Sequence, residues 1–476
     1  MKRIASQVLA LGLLFLVPAR AQEPVDETVI ARIKQEAFQN SRVMEMLFYL
    51  TDVHGPRLRG SPNYKAAAEW AVKALAGWGL SNAQLEPGGY NGRGWSLTRF
   101  NVEMTEPQYQ HLIAYPLAWS PATKGVVTGQ PVIVEINSPT DLAKYRGKLR
   151  GAIVMLGRPS DKPAAHFEAD AKRLTEEELK RGAEAISPTE KLLTGYEGPN
   201  FAQSEKARRE GLSRRAAFSK FFVDEGVAAL LWPSRLDSAN LLAQDAGGYD
   251  LNSPDYKLPV PELAVPSFVV AREHYGRIFR LLEHKLPVKL ELNLQVKIHD
   301  AGPGFNVVAE LPGTDPKLKD ELVMLGAHFD SWHAGTGATD NAAGSAVMME
   351  AVRILKAVGV SPRRTIRLAL WDGEEGGHLG SSTYVRNHFG DPATMRLKPE
   401  HEKLAGYFNL DNGTGKIRGV FLQGNEAVRP IFEAWLRAAV PLPRRNDPRH
   451  SKRRRDRPSG LRSRRPARLP VHSGPG

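Results

Sequence analysis

The sequence contains no cysteine among its 476 residues. Disulfide bonds and a lipid-modified cysteine are therefore excluded, and any zinc site has to be built from imidazole and carboxylate groups. A chain of this length can be stable outside the cell without disulfides, because it can bury large hydrophobic cores. The absence of cysteine narrows the candidate metal ligands to histidine, aspartate and glutamate.

The sequence also lacks an apolar run long enough for a comfortable membrane span. The apolar stretch at residues 4–17 follows Lys2 and Arg3 and precedes an Ala-Arg-Ala site at residues 19–21. This order is typical of a secretory signal peptide. We expect residues 1–21 to be removed on export, which predicts a secreted or periplasmic protein without a stable membrane anchor.

The body of the chain carries almost no net charge. Ten of the thirteen net positive charges lie in residues 441–476, which hold 12 Lys or Arg against two Asp, with seven Pro and no aromatic residue. Such a composition cannot bury a core, so we expect a disordered basic tail. A tail of this kind can bind nucleic acid, which is one alternative function. Because the body is near neutral and exported, we predict no nucleic-acid partner.

Three short apolar stretches each run into acidic or imidazole side chains. They are residues 322–325, followed by His328, Asp330 and Asp340; residues 365–371, followed by Glu374 and Glu375; and residues 404–410, followed by Asp411. Short apolar runs bounded by glycine or polar residues are typical of buried parallel strands, whose carboxyl ends are where ligands bind. A helical apolar period begins at Asn341. The pattern predicts an α/β fold that presents these side chains to a metal or a substrate.

Four motifs in these stretches, HFDS, ATDNAAG, WDGEEGGHLGS and NLDN, resemble metallopeptidase family 28 in sequence and in order. This family contains di-zinc exopeptidases of the bacterial aminopeptidase and plasma glutamate carboxypeptidase type. The resemblance covers about residues 306–435, and more loosely the chain from residue 31. It implies a peptide substrate, is compatible with a homodimer, and leaves open whether the amino or the carboxyl end is trimmed.

The implied fold is a three-layer α/β/α zinc-exopeptidase domain with a mixed central sheet, interrupted by a β-rich insert similar to a protease-associated domain. The predicted catalytic domain comprises residues 22–120 and 288–440, and the predicted insert comprises residues 121–287. The charged stretch at residues 161–215 is either a solvated helical excursion or a roof over the active site that limits it to short peptides.

The resemblance also implies a set of zinc ligands. His328 and Asp411 would bind one zinc, Asp340 would bridge two zinc ions, and Glu375 would bind the second. Imidazole and carboxylate groups are suitable zinc ligands, and a catalytic zinc keeps one position open for water. Two ions about 3.5–4 Å apart can share one carboxylate.

The remaining implied roles concern protons and orientation. Glu374 would be the general base, and Asp330 would hold the His328 ring, which fixes the tautomer of a ligand histidine. The peptide bond between Asp340 and Asn341 is expected to be cis, as the family tends to have it.

Plainer interpretations exist for single features. The Glu374–Glu375 pair could be a solvated acidic turn, and Asp411 could form an Asx turn. His333 and His378 could be pocket residues or ordinary loop residues, and His54 is expected to cap or pack near a helix end. Only the agreement of four motifs favours a metal site.

The basic tail begins where the family would continue with a segment that supplies the last zinc ligand. We expect an altered reading frame after about Leu436, or a truncation with a new end, and we transfer no ligand role to His450 or His472. Either two zinc ions or only one would then be retained. The alternative function is that of an inactive truncated homologue acting only as a binding protein.

Overall fold

The computed structural model describes residues 24–159, 175–184 and 201–439, apart from residues 137, 254, 256, 412, 416, 418, 423 and 424. The predicted signal peptide, the predicted basic tail with His450 and His472, and residues 160–174 and 185–200 of the charged stretch lie outside the described residues. No helix in the described part of the chain is long and apolar enough to cross a membrane.

The described chain alternates helices and strands. The helices are α1 (Glu27–Gln39), α2 (Val43–Phe48), α3 (Pro62–Gly77), α4 (Glu176–Glu184), α5 (Phe201–Asp224), α6 (Arg272–Glu283), α7 (Ala343–Ala357), α8 (Leu379–His388) and α9 (Arg429–Ala439). The strands are β1 (Ser81–Glu106), β2 (Gln110–His111), β3 (Ala114–Pro116), β4 (Val127–Gly129), β5 (Val132–Val134), β6 (Ile153–Leu156), β7 (Ala229–Pro233), β8 (Ser267–Val270), β9 (Lys289–Leu311), β10 (Leu322–His328), β11 (Thr365–Trp371), β12 (Gly390–Asp391), β13 (Arg396–Leu397) and β14 (Leu404–Asn409). A single turn of π-helix lies at Tyr49–Val53, and the segment Ala338–Ala342 before α7 is kinked by non-helical backbone at Asp340 and Asn341. Short 3-10 helices lie at Pro139–Tyr145, Pro261–Leu263, Pro399–Lys403 and Glu426–Val428.

The central sheet has the strand order β14-β10-β11-β9-β1-β2, with β4 paired to β9. Strand β10 runs parallel to both of its neighbours, β11 and β14, whereas β9 is antiparallel to β11. The sheet is therefore mixed, which confirms the predicted fold class. All three predicted site strands are present, and β11 has the predicted bounds.

Helices cover both faces of the central sheet. Side chains alternate between the faces of a strand, and in β11 Leu368 and Leu370 join a core built with α2, α3 and α7. Ala369 and Trp371 point the other way and pack with Tyr384 of α8. Each fully buried leucine contributes about 1.5–3 kcal/mol, so the two-sided apolar run of β11 specifies a strand between two helical layers.

A second sheet lies between residues 114 and 270, with the order β3-β8-β7-β6-β5. Strands β5 to β8 are parallel, and alternate residues of β6 face two helices: Ile153 packs with Tyr275 of α6, and Val154 packs with Phe222 of α5. This unit is thus α/β rather than β-rich in its described part, and its sheet starts at β3, before residue 121. Its assignment as a protease-associated domain stays a prediction.

Strands β1 and β9 of the central sheet form a long antiparallel ribbon that extends to the second sheet. Near Val308, β9 pairs with β11, and the other end of the ribbon, with Val102, Leu290 and Leu292, shares one core with α6. Because this core includes side chains from both the ribbon and the second sheet, the second unit is held by packing as well as by the chain connection.

Contacts group residues 1–31 and 417–476 into a unit separate from residues 32–416. In its described part, Arg429 pairs with Glu426 at 2.7 Å, and the rings of Phe432 and Trp435 meet edge-on in α9. The helical segment at residues 426–439 begins with a 3-10 turn and continues as α9.

Two helical glycines provide a test of this packing. A Cβ at Gly344, in the first turn of α7, would lie 2.5 Å from the Leu410 carbonyl oxygen, whereas a Cβ at Gly211, within α5, would meet no described atom within 4 Å. We expect Gly344→Ala to lower the free energy of unfolding by roughly 1–3 kcal/mol, because the helix must move off β14. Gly211→Ala should raise it by about 0.5–1 kcal/mol, because alanine has the higher helix propensity.

Urea denaturation followed by circular dichroism measures both changes. Equal effects of the two substitutions would contradict the close approach of α7 to the end of β14.

Candidate metal centre

The site lies at the carboxyl edge of the three parallel strands. Because β11, β10 and β14 are neighbours, their carboxyl ends meet at one edge of the sheet. His328 ends β10, Glu374 follows β11, and Asp411 follows β14. One potential ligand atom from each of these three residues lies within 4.8 Å of the other two.

The His328 ring is the centre of this cluster. Its Nε2 atom lies 2.9 Å from Asp340 Oδ1, 3.2 Å from Asp411 Oδ1 and 4.0 Å from Glu374 Oε2. Burial of the ring opposes its protonation, but hydrogen bonds with Asp330, Asp340 and Asp411 outweigh burial and raise the His328 pKa. Here a proton on Nε2 occupies the direction in which a metal ligand would present its lone pair.

Asp330 connects the ends of two strands. Its side chain is 1% exposed; Oδ1 accepts the backbone N–H of Glu374 at 3.0 Å and Oδ2 that of Glu375 at 3.3 Å. Oδ1 also lies 3.4 Å from His328 Nδ1, whose backbone contact is the Asp330 carbonyl at 3.1 Å. Asp330 therefore orients the loop with both glutamates in addition to flanking the His328 ring.

The carboxylates of the cluster lie in each other's field. Burial, followed by the charges of the neighbouring aspartates, raises the pKa of Glu374 to about 7. Burial and then the charge of Asp340 raise the pKa of Glu375 to about 8. A hydrogen bond with His328 lowers the pKa of Asp340. One imidazole cannot balance so many clustered carboxylates, so the donor set fits one or more divalent cations.

The connection from β10 to α7 positions Asp340. The Asp340–Asn341 peptide bond is cis, as the resemblance implies. The Asn341 amide donates to the Leu410 carbonyl at 2.9 Å and accepts the backbone N–H of Gly344 at 3.0 Å. Asn341 therefore links the start of α7 to the residue immediately before Asp411.

The three remaining candidate histidines have different surroundings. His378 Nδ1 lies 3.2 Å from Glu374 Oε1, so His378 belongs to the site. His333 is buried among Trp95 and Tyr115, and its Nε2 donates to the Pro116 carbonyl. His54 lies against the ring of Trp70, in agreement with the expected packing role.

Sequence reasoning missed two buried arginines behind the site. Arg57 and Arg59 belong to the segment HGPRLRG, which has no acidic residue, and this was the one weak signal. Arg57 donates to the Phe329 carbonyl. Arg59 stacks 4.4 Å from the centre of the Trp119 ring and lies so close to Gly376 that a Cβ there would come 2.6 Å from its Nε atom.

The second unit also reaches the site loop. Arg208 of α5 donates from Nη2 to the Gly376 carbonyl at 2.8 Å and lies directly against Gly377, whose φ is 111°. Of the two interpretations of residues 161–215, this contact favours a roof over a merely solvated excursion for the described part of α5.

Comparisons with known proteins agree with this geometry. The model of Peptidase family M28 matches residues 306–455, which contain all six predicted site residues. This segment therefore resembles Peptidase family M28. The predicted resemblance to metallopeptidases of this family is confirmed.

Individual M28 relatives extend the match beyond this segment. Carboxypeptidase Q of Bos taurus is 25% identical over 407 residues, which cover 84% of this chain and 71% of that protein. An aminopeptidase of Pseudomonas aeruginosa (strain UCBPP-PA14) is 37% identical over 150 residues, which cover 28% and 25%. The crystal structure of a peptidase M28 precursor from Shewanella amazonensis SB2B matches with a TM-score of 0.56 and 24% identity over 87% of this chain and 80% of that chain, and it has the same fold.

Burial of His333 predicts a pH dependence of stability. Burial lowers the His333 pKa from 6.5 to about 4, and its Nδ1 has no hydrogen-bond partner among the described residues. The unfolded chain takes up this proton below pH 6.5 and the folded chain does not. Stability should therefore fall as the pH decreases from about 6.5 to about 4, by roughly 3 kcal/mol in total.

Urea unfolding of chelator-treated protein across this pH range measures the effect. His333→Gln keeps a donor for Pro116 and should remove about one proton from the slope, whereas His401→Gln, at an exposed position, should not. An unchanged slope in His333→Gln would refute the assignment.

Proposed function

We propose that this chain is an exported zinc-dependent exopeptidase that removes terminal residues from peptides or dipeptides. The observation that carries the proposal is the convergence of His328, Glu374 and Asp411 within 4.8 Å at neighbouring strand ends, inside the segment that matches family M28. The names of the relatives, a carboxypeptidase and an aminopeptidase, support action at a peptide terminus and leave its end open.

The residues that would hold zinc are His328, Asp340, Glu375 and Asp411. When bound, zinc supplies Lewis-acid polarisation of a carbonyl and lowers the pKa of water toward about 7. The proximity of Asp340 and Asp411 to the same ring nitrogen, at 2.9 and 3.2 Å, supports their grouping around His328.

Glu374 is the proposed general base. A base works best when its pKa lies near the working pH, and burial among carboxylates raises the pKa of Glu374 to about 7. Its carboxylate would accept a proton from the attacking water and return that proton to the leaving amine. Asp330 contacts both the backbone N–H of Glu374 and the ring of His328, so it would fix the position of the base relative to the zinc ligand.

Two substitutions separate the proposed base from a proposed ligand. We expect Glu374→Gln to lower kcat by about 10²- to 10⁴-fold with little change in zinc affinity. Asp411→Asn should instead weaken zinc binding, because an amide oxygen carries no charge. Zinc affinity by chelator competition and peptide hydrolysis by chromatography measure the two effects.

Glu321→Gln is a matched control, because Glu321 pairs with Arg364 at the opposite edge of the same sheet. If Glu374→Gln weakened zinc binding as much as Asp411→Asn does, the roles of Glu374 and Glu375 would have to be exchanged. Zinc binding without hydrolysis by the parent protein would favour a homologue that only binds peptides.

Peptides with blocked ends test the exopeptidase assignment. The same tripeptide is supplied free, N-acetylated, C-amidated and blocked at both ends, and product release is followed by mass spectrometry. We expect one of the two singly blocked peptides to resist cleavage and the other to be cleaved, because an exopeptidase recognises one charged terminus. Cleavage of the doubly blocked peptide would show an endopeptidase instead.

A further inference from the structure

Arg57 is a fully buried arginine whose side chain binds backbone carbonyls from three places in the chain. Its hydrogen bonds run from Nε to Phe329 at 2.8 Å, from Nη1 to Leu50 at 2.6 Å and to Thr336 at 3.0 Å, and from Nη2 to Gly337 at 3.1 Å. Four donor directions of one planar guanidinium are used in this way.

These carbonyls bracket the loop between two proposed ligands. Phe329 directly follows His328, and Gly337 lies three residues before Asp340. The Gly337 carbonyl also accepts the N–H of Ala342, at the start of α7. One guanidinium therefore holds the point where the chain leaves β10 and the point where it enters the segment with Asp340.

The backbone of Arg57 adds a second attachment to the same loop. Its N–H donates to Ser331 Oγ at 3.0 Å, and its carbonyl accepts the N–H of Ser331 at 3.0 Å. The bond to Leu50 anchors this assembly to the π-helical turn Tyr49–Val53. The 329–337 loop is thereby attached to the N-terminal helical layer.

Arginine is suited to this position for a physical reason. A buried carbonyl without a donor costs about 1–3 kcal/mol, and a rigid fork of five N–H groups can serve several carbonyls in fixed directions. A lysine ammonium keeps the charge but places its three donors around a single point. It cannot span both ends of the loop.

We propose that Arg57 is a positioning residue that sets the separation of His328 and Asp340 by binding backbone carbonyls at both ends of the 329–337 loop. This inference rests on the proposed function, because the two side chains are proposed as ligands of a common metal. The described hydrogen bonds of Arg57 go to the loop and to Leu50 rather than to the side chains of His328 and Asp340, so Arg57 acts through the loop.

Zinc affinity tests the role without relying on activity. Chelator competition is measured on the full chain for the parent, Arg57→Lys and Arg57→Ala. We expect the lysine variant to bind zinc about 10- to 100-fold more weakly, as is usual when the support of a metal ligand is removed. Millimolar guanidinium chloride, but not sodium chloride, should restore part of the affinity of Arg57→Ala.

Arg353→Lys is the control for a general loss of stability. Arg353 is also a buried arginine, paired with Glu350 at 2.6 Å and with Glu36 at 2.7 Å, and its partners hold no proposed ligand. The Arg353→Lys substitution should lower the melting temperature and leave zinc affinity unchanged.

Parent-like zinc affinity in Arg57→Lys, or an equal loss in Arg353→Lys, would overturn the positioning role while the proposed function stands. Failure of the parent itself to bind zinc would overturn the proposed function, and the positioning role with it. If Arg57→Ala does not fold, the lysine variant decides the question.

Discussion

The rest of the site depends on the hydrogen bonds that the Asp330 carboxylate accepts. Neighbouring parallel strands bring His328 and the Glu374–Glu375 pair to one edge of the sheet, but strand pairing alone does not fix the loops beyond it. Asp330 does so, because it accepts two consecutive N–H groups of the glutamate loop while it flanks the His328 ring. A buried carboxylate needs such donors. The same two hydrogen bonds therefore satisfy the buried Asp330 and hold the glutamate loop in place.

Charge is the second constraint. The cluster places several carboxylates around one imidazole, and their mutual field raises the pKa of Glu374 to about 7 and that of Glu375 to about 8, after the larger effect of burial. Behind this layer lie Arg57 and Arg59, and Asp330 is among the charges that oppose the lowering of their pKa by burial. These cations support the acidic residues from the interior and leave the outer side of the cluster acidic, which is the side available to a metal.

The sequence predicts a contact only where that contact requires a particular type of side chain. The apolar run of β11 and the acidic residues after it predicted a strand and a site, because burial and metal binding both select residue types. The contacts of Arg57 left almost no trace: their acceptors are backbone carbonyls, which every residue has, and Gly337 is 280 positions away along the chain. The predicted insert begins at residue 121, whereas the second sheet begins at β3, because β3 pairs with the distant strand β8 through backbone hydrogen bonds.

The glycines after the glutamate pair have a physical explanation that links these observations. Arg59 lies against Gly376 from the interior, and Arg208 of α5 lies against Gly377. A side chain at either position would displace a guanidinium, and Gly377 also has a positive φ, which favours glycine. Two adjacent glutamates repel each other and would separate in a mobile loop. Contacts with Arg59, which precedes α3, and with Arg208 of α5 restrict this loop, so α5 contributes to the geometry of the acid pair as well as to the enclosure of the site.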